Sequence, residues 1–274
     1  MVELIELKAQ GQACLIVIHG TAGHPRSTWE AFANHLEGPY RVLAVDWSRL
    51  ERESTVAQTL DGLGRQIAGK IRDGGVGGVH LVGYSLGAAV AIEVASVLGP
   101  QVLSLSLIAP FDNARDPQVR RTFGYWQRLL EDHPMKLAAE IVTRGFSSPG
   151  LRAMSATQVT TCIEDFYQRV HWPAVAVQMR LNLTLDVSSQ LSRLECPTAV
   201  IIGLDDRLIP PSVSVALYRQ LPRGALFSLP CGHLMLAEDP LGLARIVQRF
   251  VSDEKRRCPW VGTAASRPGA NDYW

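Results

Sequence analysis

The chain is expected to adopt an α/β fold: a doubly wound, mostly parallel sheet of about seven or eight strands with helices on both faces. Three observations carry this expectation. Short β-rich runs alternate with segments of helical periodicity along most of the chain. The run Ala13 to Ile18 (ACLIVI) is continuously apolar, the pattern of a strand buried on both faces. With 274 residues, 47% of them hydrophobic and 19% charged, the chain can bury a large core in one unit.

Taken in order, Val2 to Leu7 alternates and suits an edge strand, followed by the buried strand Ala13 to Ile18. Trp29, Phe32, Ala33 and Leu36 recur at helical spacing, with Ser27 or Thr28 expected to cap that helix. Arg41 to Val45 is a strand. Val56, Leu60, Leu63, Ile67 and Ile71 mark one face of a long helix, weakened by Gly62, Gly64 and Gly69. Val79 to Val82 is a strand, and Leu86 to Leu98 a helix stopped by Gly99-Pro100. Strands Val102 to Ile108, Thr198 to Ile202 and Ala225 to Leu229 follow. A last helix enters near Pro240 with Leu243, Ile246, Val247 and Phe250 on one face.

Two stretches break the rhythm. Residues 112–196 hold little β pattern but several helical segments rich in aromatics, and read as a helical cap inserted between two strands. The core is then 1–111 with 197–252. Residues 253–274 are polar and aperiodic and read as a tail.

Composition excludes several classes. The net charge is +1, and the one basic run is Lys255-Arg256-Arg257, so no nucleic-acid partner is expected. No apolar stretch reaches the roughly 18–20 residues of a membrane span. Met1-Val2-Glu3-Leu4 lacks the basic start of a signal peptide. Five scattered cysteines (Cys14, Cys162, Cys196, Cys231, Cys258) without a C-x-x-C pair read as reduced thiols of a cytoplasmic protein. The histidines have no metal-ligand spacing. Gly74-Gly75-Val76-Gly77-Gly78 lacks the G-K-[ST] ending of a phosphate loop. Neither metal nor cofactor is expected.

The chemistry concentrates in Gly83-Tyr84-Ser85-Leu86-Gly87, a G-x-S-x-G set between an expected strand and helix. A serine on so sharp a turn has its Oγ raised above the sheet, and the helix N-terminus behind it favours developing negative charge. Serine needs a base, and the base needs an orienting acid. Gly203-Leu204-Asp205-Asp206 follows a strand, and Cys231-Gly232-His233 follows the last one. The order Ser85, Asp206, His233 is the chain order of such a triad. His19-Gly20-Thr21-Ala22-Gly23 follows the first buried strand. Its Thr21 N–H, with that of Leu86, is the candidate oxyanion hole.

With HGTAG at 19–23, GYSLG at 83–87, GLDDRLIP at 203–210 and GHLMLAEDP at 232–240, the sequence resembles the α/β-hydrolase superfamily over about residues 1–252. That resemblance implies the α/β-hydrolase fold, selects Asp206 over Asp205 through G-x-x-D-x-x-x-P, and makes Asp46 a structural loop anchor. Where the family often has Gly-His-Gly after that aspartate, this chain has Trp47-Ser48-Arg49-Leu50. The short N-terminus and the layout around Ser85 also resemble thioesterases that release acyl chains from carrier proteins. Some of these place the acid where Asp112 stands, which makes Asp112 the alternative acid.

The expected activity is therefore serine-dependent hydrolysis of an ester or thioester, the partner being an apolar small molecule or an acyl chain, free or bound to a carrier protein. Tyr84, Phe111, Trp126 and Phe146 are the candidate pocket residues. Two alternatives remain: a lyase, cyclase or cyclising thioesterase in natural-product biosynthesis, and a ligand-binding protein on the same fold.

Overall fold

The computed structural model describes residues 2–50 and 59–252. Expectations that fall on Val56, Cys258, the basic run at 255–257 and the remainder of the tail lie outside the described residues. Seven strands form one sheet: β1 (Glu3–Lys8), β2 (Ala13–Ile18), β3 (Tyr40–Asp46), β4 (Val79–Tyr84), β5 (Val102–Ile108), β6 (Thr198–Gly203) and β7 (Gly224–Leu229). Their order is β1-β3-β2-β4-β5-β6-β7. β1 runs antiparallel to β3, and every other pairing is parallel.

This order has a direct consequence for function. β2 lies between β3 and β4, so the chain leaves β2 to one side, then returns to its other side. Such a switch point opens a crevice at the carboxyl ends of the strands, where α/β sheets bind ligands. The loops after β2, β4, β6 and β7 all emerge at that end.

Side-chain alternation divides the core in two. Ile16 and Ile18 of β2 point into one apolar layer, Leu15 and Val17 into the other. The first layer packs α2 (Leu60–Asp73) and α3 (Leu86–Leu98) on the sheet. The second packs α1 (Pro25–His35) through Trp29 and Phe32 against the C-terminal helix Pro240–Ser252. Gly64 of α2 has a packing reason: a Cβ there would meet Glu93 Cβ at 2.6 Å, so the glycine sets how closely α2 crosses α3.

The expected cap at Ser27 or Thr28 is corrected. Helix α1 starts at Pro25, whose fixed φ suits a first helical position, and His24 is the N-cap. His24 Nδ1 accepts the Arg26 N–H at 3.3 Å, while Thr28 Oγ1 accepts the His24 N–H at 3.1 Å.

Between β5 and β6 the chain forms α4 (Pro117–Asp132), α5 (Pro134–Gly145), α6 (Ser148–Ala153), α7 (Ala156–Arg169), α8 (Trp172–Thr184) and α9 (Ser188–Leu191). A bridge between Asn113 and Asp186 joins the two ends of this segment. After β6 come α10 (Pro211–Tyr218), α11 (Met235–Glu238) and α12 (Pro240–Ser252). Among the described residues, no helix is long and apolar enough to cross a membrane.

Candidate active site

Ser85 occupies the turn from β4 to α3 with φ 55° and ψ −122°, a left-handed conformation that costs a side-chain-bearing residue on the order of 1–3 kcal/mol. The turn is held by its surroundings: the Ser85 N–H donates to Ile108 O at 2.8 Å. Gly87 lets the start of α3 press against the end of β2, since a Cβ there would lie 2.3 Å from Ile18 O.

His233 lies in the loop between β7 and α11, and Asp206 in the loop after β6. The imidazole donates from Nδ1 to Asp206 Oδ2 at 2.7 Å, and Ser85 Oγ stands 3.0 Å from Nε2. A carboxylate accepts only, so it fixes the proton on Nδ1 and leaves Nε2 free to receive the serine proton. The other oxygen of Asp206 accepts the N–H groups of Leu208 and Ile209, each at 2.9 Å. Ser85, Asp206 and His233 are 5–6% exposed, so this chain of hydrogen bonds is shielded from bulk water.

Asp112 stands apart from the imidazole. Its Oδ2 accepts the hydroxyl of Ser188 at 2.9 Å and the amide of Gln220 at 3.3 Å, and its backbone carbonyl accepts the Val187 N–H at 2.8 Å. It ties the two ends of the helical segment together, whereas Asp206 meets His233.

The loop after β2 runs beside the serine. A Cβ on Gly20 would come within 3.0 Å of Ser85 Cβ, so only glycine allows this approach. Leu86, as the first residue of α3, has an N–H without an intrahelical acceptor. The Thr21 N–H likewise has no acceptor among the described residues.

Behind this loop His19 is fully buried, stacked on Trp47 with ring centroids 5.1 Å apart, and its Nδ1 donates to Gly20 O at 2.9 Å. Burial lowers its pKa to about 4, so it stays neutral and supports the loop. Asp46 accepts both the N–H and the hydroxyl of Ser48. Burial pushes its carboxyl up, but those two bonds, with His19 and His24 nearby, outweigh it and hold the carboxyl below its usual range.

The aromatic candidates separate into two groups. Tyr84 packs its ring 5.3 Å from that of His233 and donates its hydroxyl to His233 O at 3.0 Å. Its burial, with the Asp206 and Glu238 charges adding, pushes the phenol pKa up, which keeps this donor protonated. Phe146 sits half-buried at the α5–α6 corner beside the histidine loop, where Leu234 N–H donates to Gly145 O at 2.8 Å. Phe111 is fully buried and stacks on Phe123 at 5.5 Å, and Trp126 meets Phe123 edge-on at 5.5 Å. Cys231 is a buried thiol pushed up to about 12 by burial, with Glu238 and Asp239 adding, and is inert as a nucleophile.

Sequence reasoning passed over three contributors. Arg207, next to Asp206, donates from Nη2 to the carbonyls of Thr143 (2.8 Å) and Phe146 (2.7 Å), anchoring the acid loop to the α5–α6 corner. Gln178 and Asn182 of α8 are 1% and 0% exposed and both bond the loop after β2. The available signal was two amides at i, i+4 in a helix that is mostly apolar, with Arg180 and Thr184 its other polar residues.

Comparison with known proteins agrees with this architecture. A pyrrolizixenacetamide deacetylase of Xenorhabdus hominickii is 28% identical over 243 residues, 88% of this chain and 91% of the relative. A 2-hydroxy-6-oxononadienedioate/2-hydroxy-6-oxononatrienedioate hydrolase of Burkholderia vietnamiensis is 24% identical over 255 residues, 88% of each chain. Among solved structures, a thermophilic esterase from Thermogutta terrifontis superposes with a TM-score of 0.74 at 23% identity, over 91% of this chain and 92% of that one. The model of the alpha/beta hydrolase family matches residues 15–246, far more than half of the sequence, and the chain therefore belongs to that family and is a hydrolase.

Proposed function

We propose that this protein is a serine hydrolase that cleaves an acyl bond of an apolar small molecule, an ester or thioester, through an acyl-enzyme. The observation that carries this reading is the continuous hydrogen-bond chain Ser85 Oγ to His233 Nε2 and His233 Nδ1 to Asp206, built on a serine in a strained turn. His233 takes the hydroxyl proton as Ser85 Oγ bonds to the carbonyl carbon, and the carbonyl π electrons move onto oxygen. The N–H groups of Thr21 and Leu86 stabilise that oxyanion, each such donor being worth roughly 10²–10³ in kcat. His233 then returns the proton to the leaving group as the tetrahedral species collapses. Water, deprotonated by the same imidazole, releases the acid and restores Ser85.

The printed name of the Xenorhabdus relative describes removal of an acetyl group, which supports a short acyl chain. The helices between β5 and β6 pack their α5–α6 corner, which carries Phe146, against the histidine loop, and we assign this segment the role of a substrate-selecting cap.

The test combines a fluorophosphonate probe with a substrate panel of p-nitrophenyl esters, acyl thioesters and N-acetyl amides of graded chain length. Labelling of the wild type but not of Ser85→Ala, together with turnover that falls as the acyl chain lengthens, is expected. Equal labelling of the two proteins removes the serine mechanism. Labelling without turnover of any panel member removes the hydrolytic assignment.

A further inference from the structure

The turn after β2 contains a conformational anomaly whose support comes from far away in sequence. Residues 20–23 form a β-turn closed by the Gly23 N–H donating to Gly20 O at 3.1 Å. Its third residue, Ala22, has φ 58°, a value that turns of this kind ordinarily give to glycine. Left to itself an alanine there relaxes to negative φ, and the peptide between Thr21 and Ala22 reorients. The N–H of that peptide is held from outside the turn: Ala22 N–H donates to Gln178 Oε1 at 2.8 Å. One helical turn further along α8, Asn182 Nδ2 donates to Thr21 Oγ1 at 2.7 Å.

Both amides are almost completely buried on a helix whose other inward positions, such as Val175, Val177, Met179 and Leu181, are apolar. Burying an amide is costly, and each of these two directs one hydrogen bond at consecutive residues of the turn that presents the Thr21 N–H, Asn182 doing so although its Oδ1 is buried with no hydrogen-bond partner among the described residues. We propose that Gln178 and Asn182 are positioning residues: α8 fixes the oxyanion-stabilising geometry of residues 20–23 from outside the sheet. The proposal rests on the serine-hydrolase reading above and assigns α8 a part in it. Neither side chain touches the reacting atoms. Each acts through the turn, so its removal impairs transition-state stabilisation and leaves ground-state binding intact.

Fluorophosphonate labelling at Ser85 is measured first; its absence in the wild type overturns the serine-hydrolase reading and this proposal with it. With labelling present, kcat and KM for p-nitrophenyl acetate are compared for wild type, Gln178→Met and Gln178→Glu. So is affinity for a trifluoromethyl ketone, which forms a tetrahedral adduct. Gln178→Met keeps the side-chain length and removes the acceptor; kcat is expected to fall at least about tenfold with KM nearly unchanged, and ketone affinity to fall in parallel. Gln178→Glu retains an acceptor oxygen and is expected to keep most of kcat. Unchanged kcat in Gln178→Met, or a loss shared equally by KM with ketone affinity intact, overturns the proposal. Should Gln178→Met not fold, Thr21→Val, Asn182→Leu and their double mutant decide. One shared bond makes the double mutant no slower than the worse single mutant, whereas multiplicative losses overturn the proposal.

Discussion

The carboxylate of Glu238 is joined to Ser147 by two hydrogen bonds: Oε1 accepts the Ser147 N–H at 2.9 Å and Oε2 accepts its hydroxyl at 2.5 Å. Oε1 also accepts the N–H of Gly232 at 2.8 Å, one residue before His233. A single carboxylate therefore locks the histidine loop onto the α5–α6 corner. Glu238→Ala strands the amides of Gly232 and Ser147, both buried, and is expected to destabilise the fold by about 2–3 kcal/mol, since bonds to a charged acceptor are the stronger kind. Activity should fall with it, because His233 loses the support of its loop. Unfolding in urea and kcat measured on the same preparations check this, and an unchanged midpoint would show that the clamp contributes nothing.

The two candidate acids make opposite predictions. Asp206→Asn presents an amide donor to His233 Nδ1 and favours the wrong tautomer, so kcat is expected to fall about 10⁴-fold with the fold intact. Asp112→Asn disturbs only the contacts to Ser188 and Gln220 and is expected to cost about 1 kcal/mol of stability while kcat stays near the wild-type value. A large kcat loss in Asp112→Asn, or a small one in Asp206→Asn, would reverse the assignment.

What the sequence disclosed follows the range of the interactions. Alternation in β2, the Gly99-Pro100 stop and the strand-turn-helix around Ser85 are local, and each is readable from a few neighbouring residues. Asp206 and His233 are also locally marked, because each stands at a fixed offset after a strand end. The N-cap of α1 misled because the φ of Pro25, fixed by its ring, outweighs the hydroxyl preference that pointed to Ser27 or Thr28. Gln178 and Asn182 were hidden for a different reason: their partners, Ala22 and Thr21, lie 156 and 161 positions away. Gly64 looked like a weak point in a helix, and its value appears only when Glu93 of α3 is packed on it.

His19 makes stability depend on pH in a definite direction. Its pKa is about 4 in the fold, lowered by burial, against about 6.5 for an exposed histidine. The unfolded chain therefore takes up this proton first, and stability falls as pH drops from about 6.5 to about 4. The full swing is on the order of 3 kcal/mol, at roughly 1.4 kcal/mol per pH unit of displacement. His19→Phe keeps a ring against Trp47 and removes the titration. The gap in unfolding free energy between wild type and variant, measured at pH 7 and pH 4.5, should shift against the wild type at the lower pH. Parallel pH profiles would mean that His19 does not titrate as its burial dictates.

The strained turn at Ser85 predicts an inversion of an ordinary rule. Replacing alanine by glycine usually lowers stability by about 0.5–1 kcal/mol, because glycine loses more backbone freedom on folding. At Ser85, with φ 55° and ψ −122°, the Cβ itself is the source of strain. Ser85→Ala and Ser85→Gly both lack the hydroxyl that bonds His233, so both should be inactive, and their difference isolates the Cβ. Ser85→Gly is expected to be the more stable of the two by about 1 kcal/mol, the strain relieved by glycine exceeding its entropic disadvantage. Thermal midpoints of the two variants decide it. If Ser85→Ala melts higher, the turn stores no strain, and the exposure of the serine Oγ toward substrate has to be explained by the packing of Gly87 on β2 alone.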